Sequence, residues 1–327
     1  MIYVISILSC SYPQNKLVNG EVEVDKLFVL TTVSPITSIV ENIGGTRINL
    51  VGIIPEGVNS HTFEPSPSVA KIITKADLII LNGLFLEEPF LQMAQANAKP
   101  NAVILQLGDK VISDEDWIFD FSFPKESSKP NPHLWTDPIL GLKYAEIVRD
   151  RLIILDNVNS EYFINNYDKF KKRIEMLDRS IKLAISTIEP SKRKLLTYHD
   201  SFPFFAKRYG FEVIGAVKPS DFSEPSSKEI AELINQIKRE KTPVIFGSKM
   251  FPSPVMEQIA KETGIKYVNK LRDDDLPGKI SQKEHSYLGL MVANLKIIVE
   301  ELGGNTKFFE NIEISNVFNE DSTAIYP

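Results

Sequence analysis

The sequence predicts an α/β protein of two lobes, each a mostly parallel sheet with flanking helices, joined by one long backbone helix. Three observations predict it. Short apolar runs bounded by Gly, Pro or Asn alternate with amphipathic helical stretches, the pattern of parallel βαβ units. The alternation occurs twice, on either side of the stretch Ser160–Ile188. The 327 residues suit two domains of ordinary size better than one core. The expected division is residues 1–24 as a signal and lipid-anchor tether, 25–158 as the N-terminal lobe, 159–190 as the linking helix, 191–304 as the C-terminal lobe and 305–327 as a tail.

The first stretch is read from its single cysteine. Ile2–Ser9 is mostly apolar, Cys10 follows the small Ser9, and the chain then turns polar from Ser11. This looks like the end of a lipoprotein signal, with Cys10 as the lipidated residue and Ser11–Val24 as a flexible tether. The basic start of such a signal is missing, so the start reads as truncated. The competing reading is a first strand with a buried thiol. With one cysteine, neither an intrachain disulfide nor a thiolate metal cluster is expected.

In the N-terminal lobe, strands are expected at Lys26–Val33, Arg47–Ile54, Asp77–Asn82 and Ala102–Leu107. Helices are expected at Pro35–Ile43, Ser68–Ala76, Glu87–Ala98 and Gly141–Leu155. His61 lies just past the second strand, held among Pro55, Pro65 and turn residues. That is the crevice position of an open α/β sheet. Ile112–Pro130 is irregular and polar. His133 follows it between prolines, with Asp137 or a backbone carbonyl expected to orient its imidazole.

The linking helix carries Phe163, Tyr167, Phe170, Ile174, Leu177, Ile181, Ala184 and Ile188 at alternating steps of four and three. These form one stripe of an α-helix about 43 Å long. Ser160 is the expected cap and Pro190 the expected stop.

In the C-terminal lobe, strands are expected at Lys194–Tyr198, Phe211–Ala216, Pro243–Gly247 and Ile265–Val268. His199 directly follows the first, and Asp273, Asp274 and Asp275 follow the last. Helices are expected at Phe202–Tyr209, Ser226–Glu240 and Val255–Thr263. Ser281 and Glu284 suggest a capping box for the last long helix, with Tyr287, Met291, Leu295, Ile298 and Leu302 on its buried side. The tail is expected to be loose or a strand added late.

Composition excludes several functions. Lys+Arg is 37 against 43 Asp+Glu, a net charge of −6, and no basic cluster interleaves with aromatics, so nucleic-acid binding has no support. No run of about 18 apolar residues is present to cross a membrane. Neither a GxGxxG loop nor a Walker GxxxxGK is found.

Three of the four histidines, His61, His133 and His199, follow strands or loops that end in one crevice. With a carboxylate from Asp273–Asp275, they make three nitrogens and one oxygen, a set that suits Zn²⁺ and also holds Mn²⁺. A filled four-ligand shell leaves no place for an activated water and so points to binding. Spacing alone leaves open a second reading, in which each histidine is a structural hydrogen-bonder. His285, beside Lys283 and Glu284, reads as a solvated residue.

Several motifs carry a resemblance: VSPITSIVENIGG (33–45), SHTFEPSPSVAKIITKADLIILNG (60–83), NPHLWTDP (131–138), YHDSFPFFAKRYGF (198–211) and SYLGLMVANL (286–295). Across residues 27–302 the chain resembles the zinc/manganese-type solute-binding proteins of ABC transporters, the group with a rigid helix between its lobes. The resemblance implies an extracytoplasmic receptor, periplasmic or at the cell surface and lipid-anchored. It would be a monomer that hands its metal to a membrane permease, and not an enzyme. It also implies metal ligands at His61, His133, His199 and one late aspartate. Counting forward from the last strand selects Asp274, and counting back from Tyr287 selects Asp275. Ser248 stands where many relatives carry glutamate. The His-rich acidic loop of many zinc-specific members is missing. His199 stands where manganese-type members often have Glu, which favours Zn²⁺ with Mn²⁺ as the alternative. Two rival functions are a zinc-dependent hydrolase with a three-His site and a receptor for an organic solute. No HExxH motif supports the hydrolase.

Overall fold

The computed structural model describes residues 16–18, 21–23, 26–218, 225–280, 282–318 and 323–326. Two short strands, β1 (Lys16–Val18) and β2 (Glu21–Glu23), pair antiparallel inside the stretch expected to be a flexible tether. Cys10 lies outside the described residues.

The N-terminal lobe runs β3 (Leu27–Thr31), α1 (Ser34–Gly44), β4 (Ile48–Gly52), α2 (Pro67–Ile73), β5 (Leu78–Leu81), α3 (Glu88–Asn97), β6 (Val103–Gln106), α4 (Gly108–Val111) and α5 (Pro138–Leu155). α6 (Ser160–Ser186) follows. The C-terminal lobe then runs β7 (Lys194–Thr197), α7 (Pro203–Tyr209), β8 (Glu212–Ala216), α8 (Ser227–Glu240), β9 (Val244–Ser248), α9 (Pro254–Thr263), β10 (Lys266–Leu271) and α10 (Tyr287–Glu301). Each lobe has a four-stranded sheet, in orders β4-β3-β5-β6 and β10-β9-β7-β8, and every neighbouring pair is parallel. All carboxyl ends in a sheet therefore lie along one edge, where a crevice can collect loops from strands distant in sequence.

Strand alternation divides the packing into layers. Leu30, Ile79 and Leu81 face an outer layer with Val69 and Ile73 of α2 and Phe90 and Ala94 of α3. Val29, Leu78 and Ile80 face the opposite way, into the largest core. Leu196 and Ile245 likewise face α8 and α9, through Ile234, Ile237, Met256 and Ile259. Leu195 and Phe246 join the large core instead, as do the buried faces of α1, α5, α6 and α10. One continuous apolar body thus joins the lobes.

Within it α6 buries its predicted stripe: Phe163, Phe170, Ile174, Leu177, Ile181 and Ala184 are fully enclosed. At roughly 1.5–3 kcal/mol for each large apolar side chain, this burial outweighs any propensity term along the helix. Two polar residues share the face. Asn166 Nδ2 donates to Ile43 O in the N-terminal lobe at 3.1 Å. Asp178 Oδ1 accepts from Tyr209 OH of α7, in the C-terminal lobe, at 2.9 Å. The helix is thus bonded to both lobes.

The boundaries differ from expectation where side chains found other partners. Ser160 does not cap α6: its Oγ donates to Asn157 O, and Asn159 precedes the helix without a side-chain cap. α6 ends at Ser186, before Pro190 is reached. α5 starts at Pro138 rather than Gly141, because Asp137 caps it by accepting from Ile139 N at 2.9 Å. The expected capping box at Ser281 and Glu284 fails. α10 begins at Tyr287 under Ser286, which accepts from Gly289 N, and Ser281 lies outside the described residues. A capping box does form at Ser226 and Glu229 of α8.

The described residues of the tail, 305–318 and 323–326, are packed rather than loose. Phe309, Ile312, Val317 and Ala324 are buried, and Ile325 forms a one-residue parallel bridge with Val51. Buried Glu41 of α1 accepts from the backbone N–H groups of Thr323 and Ala324. Among the described residues no helix is long and apolar enough to cross a membrane.

Candidate metal centre

Local turns present each histidine. Beyond β4, Asn59 accepts from His61 N at 2.9 Å and opens a 3₁₀ turn over Ser60–Thr62. Beyond β7, the carbonyl of His199 accepts from Thr197 Oγ1 and from Ser201 N, both at 2.8 Å, which folds the chain sharply back. β7 lies where the strand order of its sheet reverses, with β8 on one side and β9 on the other. His133 lies outside any strand. The carbonyl of Pro132 accepts from Asn82 Nδ2 at 3.0 Å, which ties its loop to the end of β5.

The three imidazoles converge from segments 72 and 66 residues apart. Each offers a ring nitrogen, and all three nitrogens lie within 4.8 Å of one another. His61 Nε2 and His133 Nε2 are 3.1 Å apart. A second triad, His133, Asp273 and Asp274, meets the same 4.8 Å limit, so the two triads share His133. Burial is the main force lowering all three histidine pKa values, His199 to about 3. Proximity of the rings to one another adds to the effect at His61 and His133. All three are therefore neutral at pH 7, the state in which imidazole ligates metal.

The three consecutive aspartates have separate bonding. Asp275 is engaged through both oxygens, accepting from Arg272 Nη1 at 2.7 Å and Gly57 N at 3.1 Å. Asp273 accepts from Ser201 Oγ at 2.6 Å, and its carbonyl accepts from Trp135 Nε1. Asp274 Oδ2 accepts from Ser60 Oγ and Ser60 N. Asp274 Oδ1 is enclosed with no hydrogen-bond partner among the described residues. Burial first, and the neighbouring Asp273 charge second, raise the Asp274 carboxyl to about 8. An enclosed carboxylate oxygen without a donor is costly unless a proton or a cation meets it. β10 runs on to Leu271 with a register shift after Val268, so the strand from which Asp274 was counted is longer than expected.

Two expectations are corrected. Asp137 does not orient His133: it caps α5 and is gripped by Arg208 Nε, at 2.6 Å to Oδ1. The orienting group is Asn131, whose Oδ1 accepts from both His133 N and His133 Nδ1. The signal was present as an Asn two residues before the histidine, the spacing of an Asx turn. His285 is not solvated. It is 3% exposed, precedes α10 rather than lying on it, and places Nε2 3.5 Å from Glu56 Oε1. Burial is the main cause lowering its pKa.

Sequence reasoning also missed Phe123, whose ring centroid stands 5.7, 5.8 and 5.3 Å from those of His61, His133 and His199. Nothing in an irregular aromatic loop singled it out from its neighbours. Ser248 makes a local turn, its Oγ accepting from Met250 N and Phe251 N at 3.2 Å each.

Known proteins share this architecture. The periplasmic zinc binding protein TroA of Treponema pallidum superposes with a TM-score of 0.76 at 25% identity, covering 85% of this chain and 99% of that one. The metal ABC transporter substrate-binding lipoprotein FimA of Streptococcus parasanguinis is 29% identical over 301 residues, 90% of this chain and 94% of that protein. The manganese ABC transporter substrate-binding lipoprotein PsaA of Streptococcus pneumoniae is 28% identical over the same shares. The family model ZnuA, zinc-uptake complex component A, periplasmic, matches residues 29–301, and the chain belongs to this family.

Proposed function

We propose that this chain is the metal-capturing receptor of an ABC transporter. It binds Zn²⁺, with Mn²⁺ as the alternative, through His61, His133, His199 and Asp274 and delivers it to a membrane permease. The observation that carries the reading is the pair of triads sharing His133, one of three neutral imidazoles and one bringing the enclosed Asp274 Oδ1. Three nitrogens and one carboxylate oxygen suit the borderline-soft Zn²⁺. The relatives' names divide: PsaA is named for manganese and TroA for zinc.

The chain is a binding protein, not an enzyme. FimA and PsaA are named substrate-binding lipoproteins, and four protein ligands leave no open position for an attacking water. Those names also support a lipid anchor, for which Cys10 is the residue available, and an extracytoplasmic location. The receptor acts as a monomer. A four-ligand site holds its ion tightly, so release needs the permease to favour a conformation in which the ligands separate.

Metal analysis and isothermal titration of the purified chain test the reading, with His61, His133, His199 and Asp274 each changed to Ala. One ion per chain is expected, with a large loss of affinity in every variant. Metal binding that survives removal of any two of the four residues rules out the site as drawn, and hydrolytic turnover with bound zinc restores the enzyme alternative.

A further inference from the structure

A cavity of about 280 Å³ lies on the N-terminal-lobe side of the three histidines, with His61 and Phe123 at its floor. Phe85, Glu88 and Lys129 line it nearer to solvent; Phe85 is 43% exposed, and the Glu88 and Lys129 side chains 40% and 51%. Six waters at about 30 Å³ each occupy roughly 180 Å³, so a hydrated divalent ion fits. On the opposite side, a cavity behind His199 and Asp273 holds about 10 Å³, room for no more than about one water.

Four features bear on access through the larger cavity. Lys129 Nζ forms an ion pair with Glu88 across the mouth, and the same ammonium stands 5.9 Å from the centroid of Phe85. The wall beside it is strained at two residues: Leu84 and Phe85, which carry side chains, have φ of 51° and 64°. Strain of this kind costs about 1–3 kcal/mol per residue and collects where a segment must change state. Phe123, 5% exposed, lines the cavity beside His61 and packs against all three imidazoles. His61 is the one member of the three-histidine triad that is not fully buried.

Given the metal-receptor reading, we propose that the ion passes between solvent and the histidines through this cavity, with the Lys129–Glu88 pair closing the mouth and Phe123 the floor. Opening the pair removes a cation from the path and exposes the Glu88 carboxylate as a first contact for the hydrated ion. Inside the cavity the ion meets His61 directly, and rotation of Phe123 opens the way to His133 and His199.

Stopped-flow mixing with Zn²⁺ and a fluorescent chelator measures uptake and release, and chelator competition measures affinity. Lys129→Met should raise both rates roughly fivefold, since an opposing charge in a narrow mouth strongly retards cations. The affinity should stay within about twofold, because both rates move together. Phe123→Ala should speed release roughly tenfold by removing the gate. Lys171→Met, on the exposed face of α6, should change neither rate. Wild-type rates in both the Lys129 and Phe123 variants overturn the passage while leaving the metal reading intact. Lys129 is half exposed, so its variant decides the matter even where Phe123→Ala folds poorly. A wild-type chain that takes up no Zn²⁺ overturns the metal reading and this inference with it.

Discussion

Asn131 Oδ1 accepts two hydrogen bonds from a single residue: His133 N and His133 Nδ1 each approach it to 2.9 Å. A carboxamide oxygen only accepts, so the imidazole proton sits on Nδ1 and the lone pair on Nε2. That nitrogen is the one that faces His61 Nε2. Asn131 Nδ2 in turn donates to Asp120 Oδ2 at 2.8 Å and to the carbonyl of Asp200, which follows His199. One amide therefore sets the tautomer of His133 and ties its loop to the other lobe. With His133 as the proposed ligand, Asn131→Ala should weaken metal binding about 10–100-fold, the usual cost of losing a ligand's orienting partner. Asn131→Asp keeps the acceptor but loses both Nδ2 donations and sets a carboxylate against Asp120, so it should lose affinity as well. Competition titration with a chelator of known affinity reads both variants.

Metal binding should release a proton from the aspartate cluster. In the metal-free chain the Asp274 carboxyl is raised to about 8, by burial first and by Asp273 second. With Asp274 as the proposed ligand, a protonated carboxyl would not ligate, so below pH 8 the metal has to displace that proton. Affinity should then rise up to about tenfold per pH unit between pH 6 and 8 and flatten above. Titration in buffers of different ionisation enthalpy counts the proton directly. Asp274→Asn should abolish this proton release. Asp275→Asn should keep it, since Asp275 is held by Arg272 and Gly57.

Glu87 should make stability fall as pH rises. It is 4% exposed, and burial raises its carboxyl from 4.5 to about 7 despite hydrogen bonds from Thr32, Asn82 and Gly83. The folded chain thus holds this proton more tightly than the unfolded chain. The contribution is fully present below pH 4.5 and is lost as pH rises through about 7. The shift corresponds to about 3 kcal/mol. Urea unfolding at pH 5 and pH 8 measures it, and Glu87→Gln should remove most of that difference. An unchanged pH dependence in the variant would count against the assignment.

The ion pair between Arg208 and Asp137 should be stabilising in one sense only. Asp137 is 2% exposed and caps α5, while Arg208 Nε reaches both carboxylate oxygens. Arg208→Met leaves a buried carboxylate without its cation, a change that costs about 3–5 kcal/mol. Changing both residues, Arg208→Met with Asp137→Asn, should recover much of that loss, because Asn still caps the helix. Thermal unfolding of the two variants separates the cases.

The layers were legible in the sequence because period decides them. The stripe on α6 and the apolar runs of β3, β5, β7 and β9 follow rules of spacing that later packing did not override. The edge positions of His61 and His199 followed from the same alternation, since parallel strands all end on one side. What escaped was nonlocal hydrogen bonding. Ser286 rather than Ser281 starts α10, and its backbone neighbour Tyr287 N donates to Ser38 Oγ, 249 residues away. The contact of His285 with Glu56 joins residues that only the folded chain brings near. The tail carried no period because it is held by irregularly spaced apolar residues, Phe309, Ile312, Val317 and Ala324, and by scattered bonds to Glu41, Asn42 and Val51, rather than by a repeated face.

The lobes should move little when metal binds. α6 is bonded to the N-terminal lobe through Asn166 and Ile43 and to the C-terminal lobe through Asp178 and Tyr209. Along the same face it contributes Phe163, Phe170, Ile174, Leu177 and Ile181 to a core that both lobes share. A wide rotation would expose part of this face, and each large side chain bared costs roughly 1.5–3 kcal/mol. A flexible two-strand hinge would incur no such cost. Ordering of the loops that carry Asp274 and His199 fits the constraint better, because those loops can shift without separating α6 from either sheet. A compact chain of this length has a radius of gyration of about 20 Å, and metal should change it by less than about 1 Å. Small-angle scattering with and without Zn²⁺ measures the change, and hydrogen exchange should place the new protection at residues 197–201 and 272–276. A contraction of several ångströms would mean that α6 bends, and the shared core would then not be the restraint described.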